Sequence, residues 1–210
     1  MLISGALLIV LAGIGYLVLY AFIARTDEPS TVKRASKSLV TTEDRMRDPT
    51  VYDPNDIDYA EKKLIHHQLA TLLADKAKAD ASRPAIRQLA ERVSIRETER
   101  ANVYAALLIS WDEAYMNISD FPEKNGCNGY PTFSGMLSHS DVGSYRLSSN
   151  ASVDTKFISL LLEHHEKAND LAKVEGAKIG FGRLIELRKA SQKEYMAEIS
   201  ELEDIQKAIL

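Results

Sequence analysis

The sequence predicts an all-α protein in which an N-terminal transmembrane helix precedes a four-helix bundle made of two repeated helical hairpins. Three observations predict it: an uncharged run from Leu2 to Ala24, a repeat at an offset of 98 residues, and apolar side chains recurring every three or four positions through both copies. A helix of that run's length crosses a bilayer. A hairpin with one apolar face must bury it against another, and two such hairpins satisfy each other.

The first element, residues 1–24, is expected to be a retained anchor. It lacks the basic start, the shorter apolar stretch and the small-residue cleavage pattern of a removable signal peptide. Arg25, Lys33, Arg34 and Lys37 all follow the span, which by the charge rule favours a cytoplasmic C-terminal domain. Residues 25–55 are polar without a sustained apolar period and read as a linker. Residues 56–210 form the expected bundle, with repeats at about 56–111 and 154–210.

In the first repeat, Tyr59, His66 and Leu73 share a helix face up to Ala79. Pro84 then opens a second helix carrying Ile86, Leu89, Val93, Tyr104, Leu108 and Trp111. The second repeat matches it, Phe157 for Tyr59, Leu162 for Leu64, Ala168 for Ala70, Leu171 for Leu73 and Leu187 for Leu89, and it continues through Tyr195, Ile199 and Leu202. Gly180-Phe181-Gly182 marks the break between its helices. The connection, 112–153, is rich in Asn-Gly turns and is expected to be irregular. Asp56 and Asp154, equivalent in the repeat, read as helix N-caps.

Four of the five histidines form two adjacent pairs, His66-His67 and His164-His165, at equivalent places in the two copies. Helical spacing turns His66 and His164 inward and sets His67 and His165 on the flank of the same stripe. Neutral imidazole ligates copper and zinc without losing a proton, so the four rings are the candidate metal ligands. Glu97, Glu163, Glu166 and Glu198 are the carboxylates within sequence reach. The alternative is that the histidines are hydrogen-bonded core residues. The di-iron signature, Glu-x-x-His on two helices, is missing: Leu64 follows Glu61 at the His position, and Leu161 precedes His164 at the Glu position.

Composition narrows the function classes. The net charge of -4, with 26 basic and 30 acidic residues, gives no electrostatic footprint for nucleic acid or a polybasic membrane surface. Cys127 is the only cysteine, so no intramolecular disulfide forms. No nucleophile beside a base, catalytic carboxylate pair or phosphate loop can be pointed to, so no catalytic residue is assigned and no enzyme is expected.

Ser134-Gly135-Met136-Leu137-Ser138, Phe157, Leu162-Glu163-His164-His165-Glu166-Lys167-Ala168 and Leu171-Ala172 resemble a bacterial family catalogued as domain of unknown function 305. Tyr59, Leu64-Ile65-His66-His67 and Leu73-Ala74 repeat the pattern, and the resemblance covers about Asp56 to Leu210. It implies a ferritin-like four-helix bundle, usually exported and often membrane-anchored, with copper binding in methionine-rich members. The family's methionines are Leu64, Leu73, Leu162 and Leu171 here, which removes the soft thioether ligands. Its Gln and Glu on the later helix correspond to Glu97 and Arg100, then to Tyr195 and Glu198.

The expectation is therefore a single-pass membrane module with its C-terminal domain periplasmic or extracellular, following the resemblance rather than the charge rule. It would bind copper or zinc through His66, His67, His164 and His165. The alternative is a structural or interaction subunit of a membrane complex, with partner proteins and with the histidines in its core.

Overall fold

The computed structural model of the protein describes residues 51–124 and 127–209. The expected anchor and nearly all of the linker lie outside the described residues. Among the described residues no helix is long and apolar enough to cross a membrane.

The first helix, α1 (Pro54–Asp80), is started by a reciprocal cap. Asp53 accepts from the Asn55 and Asp56 amides at 2.8 and 3.2 Å, while the Asp56 carboxylate accepts from the Asp53 amide at 2.9 Å. Two otherwise orphaned amides and the cap amide are thereby satisfied, and Pro54 fits the first turn, where no amide is needed. Ala81 is extended and ends α1. Pro84 opens α2 (Pro84–Ser110), which packs along α1 as the first hairpin.

The second hairpin is α4 (Ala151–Val174) and α5 (Gly182–Ile209). Its first helix packs against α1 of the first hairpin. The buried core gathers Leu69, Leu73, Val93, Phe157, Leu161 and Leu202 among others, drawn from all four long helices. Apart from one two-residue ladder, the described residues thus form an α-helical bundle built from two hairpins in the expected register.

The connection departs from expectation. Beyond a 3-10 turn (Ile118–Asp120) and a two-residue antiparallel ladder, β1 (Glu123–Lys124) with β2 (Cys127–Asn128), it holds a further helix, α3 (His139–Arg146). Ser138 caps α3 by accepting from the Asp141 amide at 3.1 Å. Val142 and Tyr145 bury its one apolar face, and the Tyr145 hydroxyl donates to the Leu73 carbonyl at 2.9 Å. Eight residues with two apolar anchors are too few to show a helical period. The connection is therefore part of the core, supplying Ile118, Tyr130, Met136 and Leu137 to it.

Gly135 explains the small residue before Met136. Its φ is +100°, and a Cβ there would lie 2.6 Å from Leu171 Cβ and 2.9 Å from the Lys167 carbonyl. Only glycine lets the connection lie that close to α4.

Asp56 and Asp154 are not the N-caps of their own helices, which are Asp53 and Asn150. Each reaches the other hairpin. Asp56 accepts from the Gly180 and Phe181 amides at 2.8 and 3.0 Å, and Asp154 from the Ser82 and Arg83 amides at 2.8 and 3.2 Å. Residues 82 and 180, and 83 and 181, are themselves equivalent in the repeat. The two hairpins clip each other's turns reciprocally, as an internal two-fold relation requires.

Candidate functional site

All four paired histidines are fully buried, together with Lys63 and Glu97. His66 and His164 stack with centroids 3.7 Å apart and planes 12° from parallel. They are equivalent residues in contact, which places them on the internal two-fold axis. Arg100 and Glu198, also equivalent, meet on that axis at 2.9 Å.

The first repeat completes a directed chain of hydrogen bonds. Glu97 can only accept, so the His67 Nδ1–H donates to it at 2.7 Å. That leaves His67 Nε2 as an acceptor, facing the Tyr195 hydroxyl at 3.5 Å. Tyr195 in turn accepts from the Lys63 ammonium at 2.9 Å, and the same ammonium sits 4.9 Å from the Tyr195 ring centroid. Arg100 closes the far end, donating to Glu97 at 2.5 Å, Glu194 at 2.6 Å and Glu198 at 2.9 Å.

Burial dominates the protonation states. It holds His66 and His164 well below the usual histidine range, helped by the repulsion of their neighbours. Burial, with Lys63 beside it, lowers His67 to about 4, and burial lowers His165 to about 3. The four rings are neutral at pH 7, and two neutral rings can stack where two cations could not. Burial also brings Lys63 down to about 7. It pushes Glu97 up, but the hydrogen bond from His67 and the charge of Arg100 carry that carboxylate well below its ordinary value.

The second repeat has no equivalent chain. Leu161 stands where Lys63 stands, and Tyr195 stands where Glu97 stands. His165 Nε2 lies 3.1 Å from Glu198 Oε2, but without the alignment of a hydrogen bond. Both nitrogens of His66, His164 and His165 are buried with no hydrogen-bond partner. A small cavity of about 20 Å³ reaches His165 between Arg96, Leu161, Glu198 and Leu202. The larger groove, about 320 Å³, is lined by Leu73, Lys76, Tyr130 and Val142 and touches none of the core histidines.

The four predicted ligands therefore come together. Glu97 and Glu198 join them, whereas Glu163 pairs with Lys167 and Glu166 is exposed, so neither reaches the core. His139 is engaged elsewhere, its Nε2 2.8 Å from the Tyr130 carbonyl oxygen. Sequence reasoning missed Lys63 and Tyr195 as site residues. The available signal was Lys63 itself, a charged residue one turn before His66 on the apolar face. Among the described residues no three His, Cys, Asp or Glu side chains converge in these rotamers as a metal cluster. Parallel stacked rings aim their lone pairs side by side, so a shared ion requires ring rotation.

A family model described as "Domain of unknown function (DUF305)" matches residues 56–206. The fold is similar to that of a DUF305 protein from Streptomyces coelicolor, named as a candidate secreted protein: TM-score 0.59, 14% identity, covering 74% of this chain and 91% of that one. A DUF305 fragment from Deinococcus radiodurans gives TM-score 0.60 at 18% identity, covering 74% of this chain and 97% of the fragment. No curated protein matches the chain.

Proposed function

The chain belongs to the DUF305 family, and on that premise we propose that its bundle is a ferritin-like, non-enzymatic module that takes up a transition-metal ion, copper or zinc, through His66, His67, His164 and His165. The observation that supports this reading is the set of buried imidazole nitrogens without partners on His66, His164 and His165. An unsatisfied buried polar group costs about 1–3 kcal/mol, and a bound ion would remove several such costs at once. The donors have the right chemistry, being neutral rings that need lose no proton. His67 would join only by giving up its contact with Tyr195, and Glu97 would hold its other nitrogen as an outer partner.

The module is proposed to be exported and tethered by residues 1–24, a reading supported by the uncharged run and by the name of the Streptomyces coelicolor neighbour. The alternative, a structural or interaction subunit with core histidines, is favoured at His67 by its bond to Glu97.

Thermal unfolding of the full chain with and without Cu(I), Cu(II) or Zn(II) tests the proposal. A bound ion raises the midpoint, because a ligand that binds only the folded state stabilises it. The increment is expected to vanish in a His66→Ala/His164→Ala variant. An equal response in wild type and variant would reject a site at these positions.

A further inference from the structure

We infer that Lys63 is the specificity-determining residue of the histidine core: its buried ammonium is a resident cation that disfavours divalent metal ions. This rests on the proposed reading of the core as a metal site. Lys63 is 1% exposed, so its charge is not dissipated into water. Its ammonium lies at one end of a hydrogen-bonded chain that runs through Tyr195 and His67 to the carboxylate of Glu97. The core already contains one cation and one anion joined through two neutral dipoles, and Arg100 with Glu198 adds a second balanced pair. Arg96, 3.1 Å from Glu198, and Glu194, 2.6 Å from Arg100, add one further charge of each sign. With neutral histidines, and with Lys63 protonated as it is below pH 7, the formal charges cancel.

Into that balance a divalent ion would bring two positive charges with no anion left to meet them. Coulomb repulsion inside protein is far stronger than in water, and Lys63 lies one helical turn before His66 and His67. A monovalent ion brings half the excess. The second repeat supplies the control: Leu161 occupies the equivalent position, itself buried, so the fold accepts leucine at that place. A lysine there carries a desolvation cost that a leucine does not. The asymmetry gives one cation to a site whose ligands are otherwise duplicated.

The experiment compares zinc ion and Cu(I) binding at pH 6, where Lys63 keeps its proton, by titration against a chelating indicator, in the full-length wild type, Lys63→Leu and Lys63→Arg. Lys63→Leu is expected to bind zinc at least ~10-fold more tightly than wild type. Lys63→Arg, which keeps the charge, should remain as weak as wild type. The gain in Lys63→Leu should disappear when His66→Ala and His164→Ala are added. Should the leucine variant not fold, Lys63→Met, close to lysine in length and uncharged, carries the same expectation. Equal zinc affinity in all variants overturns the inference while leaving the metal site standing. A gain by arginine as large as by leucine also overturns it, as does a higher thermal midpoint in Lys63→Leu with unchanged affinity, which would mark the lysine as merely a folding burden. Binding of neither ion by any variant overturns the metal reading and this inference together.

Discussion

In the first hairpin His67 donates to Glu97, and a buried lysine completes the chain through Tyr195. In the second, the same backbone register presents Leu161 and Tyr195 in place of Lys63 and Glu97, and both nitrogens of both histidines are left without partners. Two copies of one unit have therefore diverged in polar chemistry while keeping their packing. Register is held by apolar contacts that any similar side chain can make, so polar partners can change without moving the helices. His66 of the first hairpin also has both nitrogens unpartnered, so of the four rings only His67 is satisfied.

Glu97 is where the two hairpins differ most in what a single side chain holds together. Replacing it with alanine removes the buried carboxylate at the end of the Lys63 chain, leaves His67 without its acceptor and takes one of three carboxylates from Arg100, which keeps Glu194 and Glu198. Breaking a buried charged network in this way costs about 3–5 kcal/mol. Glu198 is the nearest counterpart on the second hairpin, but it is partly exposed and makes no aligned bond to His165. Glu198→Ala is expected to cost about 1–2 kcal/mol. Urea unfolding of the two metal-free variants measures the gap, and equal losses would show that the first hairpin's network is no more consequential than the second's.

Acid sharpens the same contrast. An unfolded histidine titrates near 6.5, whereas His67 in the fold titrates at about 4 and His165 at about 3. The unfolded chain binds more protons throughout that interval, so stability is greatest above pH 6.5 and falls as pH drops. The contribution from His67 finishes falling near pH 4, and that from His165 near pH 3. The two are worth on the order of 3 and 5 kcal/mol. Unfolding free energies of the metal-free chain from pH 7.5 downward should decline below about 6.5, with His165→Asn making the decline shallower throughout the interval down to about 3. A flat profile between pH 7 and 5 would mean that the rings are not held neutral by burial.

These features were legible in the sequence to different degrees. The two hairpins were, because a helical period and a repeat of fixed offset both report register, and His66, His67, His164 and His165 do meet in the core. The start of α4 was placed three residues late, at Asp154, since Ala151, Ser152 and Val153 carry no strong start signal. The helix α3 was missed because its fold depends on docking Val142 and Tyr145 onto the long helices. Lys63 and Tyr195 were missed because single residues on a stripe reveal their partners only once helices from different hairpins are brought together. The roles of Asp56 and Asp154 were misassigned for a related reason: carboxylates near a helix start read as local caps, while their main acceptor work is 72 and 124 residues away.

The smallest effect expected is the departure from additivity between those two clips. Asp154 accepts two amides of the α1–α2 turn, and Asp154→Ala should cost about 1–3 kcal/mol. Asp56 makes the equivalent pair of bonds and also accepts from the Asp53 amide, so Asp56→Ala should cost about 1 kcal/mol more. The clips act at opposite ends of α1, whose 27 residues span roughly 40 Å. At that separation, energies without a shared partner add to within about 0.5 kcal/mol. Unfolding of the double variant by urea decides whether they act as independent latches. A combined loss well below the sum would mean that opening one turn already frees the other hairpin, so that the two-fold pairing behaves as one cooperative contact and not as two ends of a bundle that happen to look alike.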